Sequence, residues 1–449
     1  MNTTKTESDM LSASVPLGAK QAYPTRDPRE WSWVEPSAWN ERMLAALVNG
    51  VKGGKWYSLW DKVCARGVLE ASWQSVWKNH GVAGVDGVSV KRFALQAGRY
   101  LDELQAELES GRYRPLGVKR TYIAKNEGGL RPLGIPVVKD RIVQGALKRV
   151  LEPIFEWEFL PSSYGFRPRR GAKDALREVD GLLKEGKTWV VDADLKSYFD
   201  SIPHAGIMDE LAKRISDGRI LEMIECYLAQ EIFDGLERWT PNRGSPQGAV
   251  ISPLLANIYL HPLDCGISGR GYRIVRYADD FVILCSSERE AHEALAEVTA
   301  WCQDHGLSLH PDKTHLGDCR QRGQGFQFLG YRFESGRRWV RKKSLKSLRD
   351  RIRSKTGRSR GVSLSQLIAE LNPTLKGWFA YFKHAHRAEF GPIDGFVRRR
   401  LRAILRRHEH RPGRPGKSLA DHIRWPNAFF AEQGLFTMKE AHALASQSR

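Results

Sequence analysis

The 449-residue sequence predicts an α+β fold: a split β-α-β sheet with helices on one face, followed by a helical, strongly basic segment. Three observations carry that expectation. Between residues 188 and 312 the periodic segments run strand, helices, hairpin, helix, strand. The hairpin, "RIVRYADDFVILC" (273–285), drives two acids through otherwise apolar strand formers. Finally, residues 337–414 hold 23 Lys and Arg against five acids, so a net +18 of the chain's +19 belongs to one segment.

The elements follow in order. Residues 1–25 are polar and punctuated by Pro and Gly, which predicts a disordered tail. Residues 26–112 read as a helical, Trp-rich extension, whose tryptophans at 31, 33, 39, 56, 60, 73 and 77 suit helix-core packing or base stacking. "YRPLGVKRTYIAKNEGGLRPLGIP" (113–136) is a strand, a Gly-rich turn and a strand, with Lys125 and Arg131 flanking the turn. Helical periodicity marks 139–160 and 171–186. "TWVVDADL" (188–195) is a strand and "HAGIMDELAKRI", "RILEMIECYLAQEIF" and "ISPLLANIYLHPLD" are helices. After the hairpin come the helix 289–306 and the strand "LSLHPD".

No apolar stretch approaches signal-peptide or membrane-span proportions, which predicts a cytoplasmic chain with no membrane partner. Six cysteines without a C-x-x-C pair predict reduced thiols rather than a zinc ribbon or a disulfide framework. The basic segment is the electrostatic footprint of a polyanion site.

The acids carry the chemistry. Asp279 and Asp280 belong at the hairpin tip, and the strand ending in Asp194 lies beside that hairpin in a split sheet. Carboxylates converging in a dry site cannot all stay ionised without cations. Two divalent ions about 3.5–4 Å apart resolve the conflict, activating a hydroxyl and clamping a triphosphate.

"YADD", with "DLKSYFDSIPH" upstream, resembles a reverse transcriptase palm. "RPLGIPVVKDRIVQGALKRVLEPIFE", "SYGFRPRRGAKDAL", "RGSPQGAVISPLLANIYLHPLD", "GLSLHPDKTHL", "FQFLGYRF" and "LNPTLKGWFAYFKHA" resemble, in block order, group II intron-encoded reverse transcriptase/maturases. The resemblance runs from about residue 75 to 405. It implies a right-hand polymerase with fingers and a split-βαβ palm over 113–335, a basic helical thumb over 336–410, and a short C-terminal segment over 411–449. With no cysteine pairs of the endonuclease kind, no HNH endonuclease is expected.

By resemblance, Asp194, Asp279 and Asp280 are the catalytic, metal-holding acids, binding two Mg²⁺ with Mn²⁺ as a substitute; Asp192, on the same strand face, is the rival for Asp194. Lys125, Arg131, Phe199 and Gln247 match the dNTP-binding positions, Phe199 as the gate against a 2′-hydroxyl. Gly244, Ser245, Gly248 and Ala249 suit a backbone close to substrate. Nucleic-acid contacts fall to Arg167, Lys313, Arg349, Arg351, Arg353, Arg398 and Arg399. The implied activity is RNA-directed DNA polymerisation joined to maturation of an intron. Its partners are an RNA template, intron RNA, a DNA or RNA primer and dNTPs, with no obligate protein partner and a nucleoid or ribonucleoprotein location. The alternatives are a domesticated relative in phage defence or CRISPR spacer acquisition, and a splicing maturase with little polymerase activity. A viral RNA-dependent RNA polymerase is a weaker rival.

Overall fold

The computed structural model describes residues 31–124, 129–357, 361–410 and 419–447. Its centre is a four-stranded sheet of order β6-β7-β3-β8, built from β3 (Trp189–Asp194), β6 (Arg273–Tyr277), β7 (Asp280–Cys285) and β8 (His315–Asp318). All its pairings are antiparallel, with Asp194 directly opposite Asp280 and Tyr277 opposite the same residue. The split strand arrangement is as expected, but helices cover both faces of the sheet rather than one, because both faces of β3 and β7 carry buried apolar side chains. A second sheet, β2-β1-β4-β5, holds β1 (Val118–Ala124), β2 (Leu130–Ile135), β4 (Ile232–Asp234) and β5 (Glu237–Trp239).

The alternation of β3 sorts its residues between two cores. Val191 and Ala193 join Phe281 and Ile283 in a core shared with the helices Val138–Glu158, Ser252–Gly269 and Glu288–Asp304. Val190, Val282 and Leu284 face a second core with the helix Ala172–Lys184 and the basic helical segment. Asp192, Asp194 and Asp280 have the parity of Val190 and Val282, so they stand on that second face. Helix starts follow local chemistry: Ser287 Oγ accepts from Glu290 N (3.2 Å), and Ser363 Oγ from Gln366 N (3.3 Å).

Three further expectations need correction. The last strand of the central sheet is His315–Asp318, not 307–312. Pro311 breaks the earlier stretch, and His310 O accepts from Lys313 N and Thr314 N, so "HPDK" is a turn. Only Leu309 forms an isolated bridge, to Leu195. Secondly, "RRWV" is strand, not basic helix. β9 (Phe326–Phe328), β10 (Tyr331–Glu334) and β11 (Arg337–Val340) form a third sheet, and the first basic helix starts at Lys342. A boundary at 335/336 would therefore cut a hairpin. Thirdly, "RILEMIECYLAQEIF" is helix only to Leu228; Ile232 and Phe233 pass into the short β4–β5 hairpin, which was not expected.

The helices Lys342–Lys355, Leu364–Phe382 and Phe390–His408 pack around Leu371, Leu375, Phe379, Phe382, Ile393, Val397 and Leu401. Trp425, Phe430, Leu435 and Met438 bury themselves in that same core. Asp394 accepts from Met438 N and Lys439 N, so the C-terminal helices complete this unit. Of the early tryptophans, Trp31, Trp39, Trp60 and Trp73 are buried in the first core, as core packing requires. All six cysteines are free. Among the described residues, no helix is long and apolar enough to cross a membrane.

Candidate active site

A cavity of about 310 Å³ opens where β3 ends. Asp194, Phe199, Gln247, Asp279, Arg131 and Lys313 all line it, six positions drawn from five separate segments of the sequence. The fingers-like hairpin supplies Arg131, which is exposed. Lys125 lies outside the described residues.

The hairpin tip is a two-residue turn, because Tyr277 pairs with Asp280 across it. Ala278 takes the left-handed backbone (φ 61°), a conformation that favours glycine. That turn carries Asp279 to the cavity. Burial raises the Asp279 carboxyl above the ordinary carboxylate range, and the charge of Asp194 adds to it; Arg131 and Lys313 oppose the rise. Asp280 stands on the sheet face beside the cavity rather than in its lining. Burial, then Asp192, Asp279 and Asp194, push its carboxyl to about 7.

Asp192 is also pushed up to about 7, chiefly by burial, while accepting a 3.3 Å hydrogen bond from Gln327 N. It lies opposite Val282, inside the sheet, and does not line the cavity. Between the two β3 acids, geometry favours Asp194. Lys313 Nζ donates to Asp194 Oδ2 at 2.8 Å, which balances part of the negative charge.

The Phe199 turn and the "GSPQGA" loop are stitched together: Ser245 N donates to Phe199 O and Gly244 N to Ile202 O, each at 2.7 Å. The close backbone approaches in that loop are to the chain itself. A Cβ on Gly248 (φ 109°) would meet Gly134 O at 2.5 Å, and one on Gly244 would meet Asp200 O at 2.9 Å. Gly134 N in turn donates to Gln247 O (2.7 Å), locking β2 against the loop that presents Gln247.

Arg167 is a correction. Its side chain is 1% exposed and forks onto Glu156 at 2.8 and 2.7 Å, while also donating to Leu160 O and Ser163 O. A guanidinium so enclosed braces a loop and has no face for nucleic acid. Of the thumb arginines, Arg351, Arg353 and Arg399 are exposed and Arg349 and Arg398 are half-buried. Arg353 and Arg399 both lie over the Phe396 ring at 5.5 Å.

Two features had no expected counterpart. His310 lines the cavity, its backbone N donates to Asp194 O (2.7 Å), and its Nδ1 has no hydrogen-bond partner. Arg276 is fully buried behind the turn, among Asp264, Asn257 and Ala278 O. Its signal in the sequence is a cation inside an apolar strand.

Residues 123–333 match the family "Reverse transcriptase (RNA-dependent DNA polymerase)", and 345–420 match "Group II intron, maturase-specific domain". Protein YkfC of Escherichia coli K12 is 34% identical over 67% of this chain and 85% of its own length. The chain belongs to the group II intron reverse transcriptase/maturase family. The group II intron-encoded protein LtrA of Lactococcus lactis is also 34% identical, over 44% of this chain and only 33% of LtrA. Among solved structures, a chain of the partial Cas6-RT-Cas1–Cas2 complex is 26% identical, covering 55% of this chain and 42% of that one, with a TM-score of 0.35. This reverse transcriptase is thus an RNA-directed DNA polymerase by class, with the right-hand α+β fold and nucleic acid as its partner.

Reverse transcriptases use divalent metal ions, and the donor set here fits one. The oxygens are hard, mutually repelling and set in a partly desolvated cavity. Among the described residues, no three His, Cys, Asp or Glu side chains gather closely enough to form a complete protein cage.

Proposed function

We propose that this reverse transcriptase extends a primer 3′-hydroxyl on an RNA template, using the Asp194–Asp279 cavity as its polymerising centre. One observation carries the reading: two carboxylates from separate strands share a cavity with an exposed arginine, a lysine, an aromatic ring and a glutamine. Two Mg²⁺ ions, with Mn²⁺ able to substitute, would be held by Asp194 and Asp279 with Asp280 in support; they would lower the pKa of the attacking hydroxyl and offset charge on the triphosphate.

The chain's own residues do the rest. Arg131, with its fork of donors, and Lys125 hold the incoming triphosphate. Phe199, which lines the cavity, is the ring that excludes a 2′-hydroxyl, and Gln247, also in the lining, packs against the nucleotide. Lys313, paired with Asp194 at 2.8 Å, balances part of the negative charge of the site. The exposed arginines of the thumb clamp the template–primer duplex through phosphate contacts. The same basic surface grips a folded intron RNA, so the chain works as a ribonucleoprotein.

Primer extension on an RNA template with Mg²⁺ tests the assignment. The intact chain is expected to incorporate dNTPs in preference to rNTPs, and Asp279→Ala with Asp280→Ala to abolish synthesis. DNA synthesis that survives both substitutions overturns the site.

A further inference from the structure

We infer that His310 binds the triphosphate of the incoming nucleotide, its ring donating from Nε2 to a phosphate oxygen. The inference rests on reading the Asp194–Asp279 cavity as the polymerase centre, because that reading brings a nucleotide within reach of the ring.

Backbone pairing fixes where the side chain stands. Leu195 and Leu309 form an antiparallel bridge, flanked by hydrogen bonds from Lys196 N to Ser308 O (2.9 Å) and from His310 N to Asp194 O (2.7 Å). In that register His310 lies directly opposite Asp194. Opposed side chains share a face, with Cβ atoms about 4.5–5.5 Å apart. Leu195 turns the other way into the first core, and Leu309 packs against that core. His310 O is equally committed, accepting from Lys313 N (3.2 Å), Thr314 N (2.9 Å) and Thr314 Oγ1 (3.0 Å). The main chain of His310 thus builds the turn that carries Lys313 to Asp194, and the imidazole takes no part in building it.

The ring has hydrogen-bonding capacity that the protein leaves unused. His310 lines the cavity with Asp194 and Lys313. Neither ring nitrogen has a hydrogen-bond partner among the described residues, and only Nδ1 is enclosed, so Nε2 is the nitrogen open to the cavity. An enclosed lone pair is tolerated more readily than an enclosed N–H without an acceptor, so the neutral ring carries its proton on Nε2. A side chain needed only to fill space would be apolar here and would leave no polar atom stranded.

The rest of the lining selects the group that Nε2 meets. Phe199 and Gln247 suit a sugar and a base, whereas Arg131, Lys196 and Lys313 line the cavity with exposed cations. Phosphate oxygens only accept, and an N–H fixed among cations complements them with a charge-assisted bond. At about 310 Å³ the cavity has the volume of a small-ligand site.

Equilibrium binding of the complementary dNTP to the full chain on a dideoxy-terminated primer–template, with Mg²⁺, tests the contact without turnover. His310→Phe is expected to weaken dNTP binding about tenfold, and binding of inorganic pyrophosphate by the same factor, with primer–template affinity unchanged. A glutamine amide reaches the position of Nε2 and an asparagine amide that of Nδ1. His310→Gln should therefore recover most of the affinity and His310→Asn should not, a comparison that holds even if His310→Phe folds poorly. Equal losses in His310→Gln and His310→Asn would overturn the assignment, as would wild-type dNTP affinity in His310→Phe. A loss of dNTP affinity that spares pyrophosphate would move the contact to the nucleoside and overturn it as well. Primer extension that survives Asp279→Ala sinks the catalytic reading; an inactive Asp279→Ala beside a His310→Phe that binds dNTP normally sinks this inference alone.

Discussion

Arg276 Nη1 donates to Ala278 O at 2.9 Å, from a guanidinium that has no solvent exposure at all. The same nitrogen reaches Asn257 Oδ1 (2.9 Å), and Nε and Nη2 fork onto Asp264, equally buried. Asn257 Nδ2 continues the chain to Gly165 O at 2.8 Å. A buried arginine therefore holds the carbonyl of the one left-handed residue in the turn that presents Asp279.

Removing Arg276 should therefore cost more than a contact. Arg276→Ala leaves Asp264 charged and unpaired in the core, with an expected loss of about 3–5 kcal/mol in urea unfolding. Arg276→Gln combined with Asp264→Asn should restore most of that stability while lacking the fork. If the clamp sets the turn, the double variant folds but extends primers at least tenfold more slowly, with faster hydrogen exchange at 278–280. A folded double variant with wild-type turnover would show that the clamp serves stability alone.

The turn can also be approached from its other side. A Cβ on Gly165 would lie 2.2 Å from Ala278 N, closer than real contacts allow. Gly165→Ala is expected to cost about 1–3 kcal/mol by overpacking and to slow polymerisation by displacing the turn. Ala278→Gly should do the reverse for stability, releasing up to about 1 kcal/mol of left-handed strain. Thermal unfolding of the pair checks both signs.

Much of this site was legible because its residues break local rules. Asp279 and Asp280 interrupt an apolar hairpin, and Asp194 ends the strand that pairs with it, so their convergence follows from topology. The misreadings have the opposite cause. Arg167 sits in "GFRPRRG" among arginines of the same type, and only the fold brings Glu156, eleven residues upstream, against it. "LSLH" has strand composition, yet Pro311 turns the chain before a strand can form. His310 and Ser32 acquire partners through tertiary approach that no periodicity encodes.

Acid strength at the site gives a pH signature. The Asp280 carboxyl, pushed to about 7 by burial and then by Asp192, Asp279 and Asp194, is raised well above its unfolded value of 3.8. The folded chain therefore keeps a proton that the unfolded chain releases. Stability from the neutral form is complete below about pH 4 and is lost as pH rises through about 7. A cation that binds the ionised acids should reverse that loss. The rise in melting temperature on adding Mg²⁺ is expected to be larger at pH 8 than at pH 6, and absent in Asp194→Asn with Asp279→Asn. Equal shifts at both pH values would mean that Mg²⁺ acts elsewhere.

Salt dependence separates the arginines that bind from those that brace. Arg351, Arg353 and Arg399 are exposed on the basic helices, and each phosphate contact they make releases condensed counterion. Charge reversal of all three should weaken RNA binding and flatten the plot of log affinity against log salt by about 0.7–0.9 per lost contact. Arg167→Ala should behave differently. Its fork onto buried Glu156 means a stability loss of about 3–5 kcal/mol, with an unchanged salt slope for whatever protein remains folded. Filter binding across a salt series, paired with urea unfolding, reads both. A slope that flattens for Arg167→Ala would return that residue to the nucleic-acid surface. A slope that does not move for the triple reversal would take the duplex off this face of the thumb.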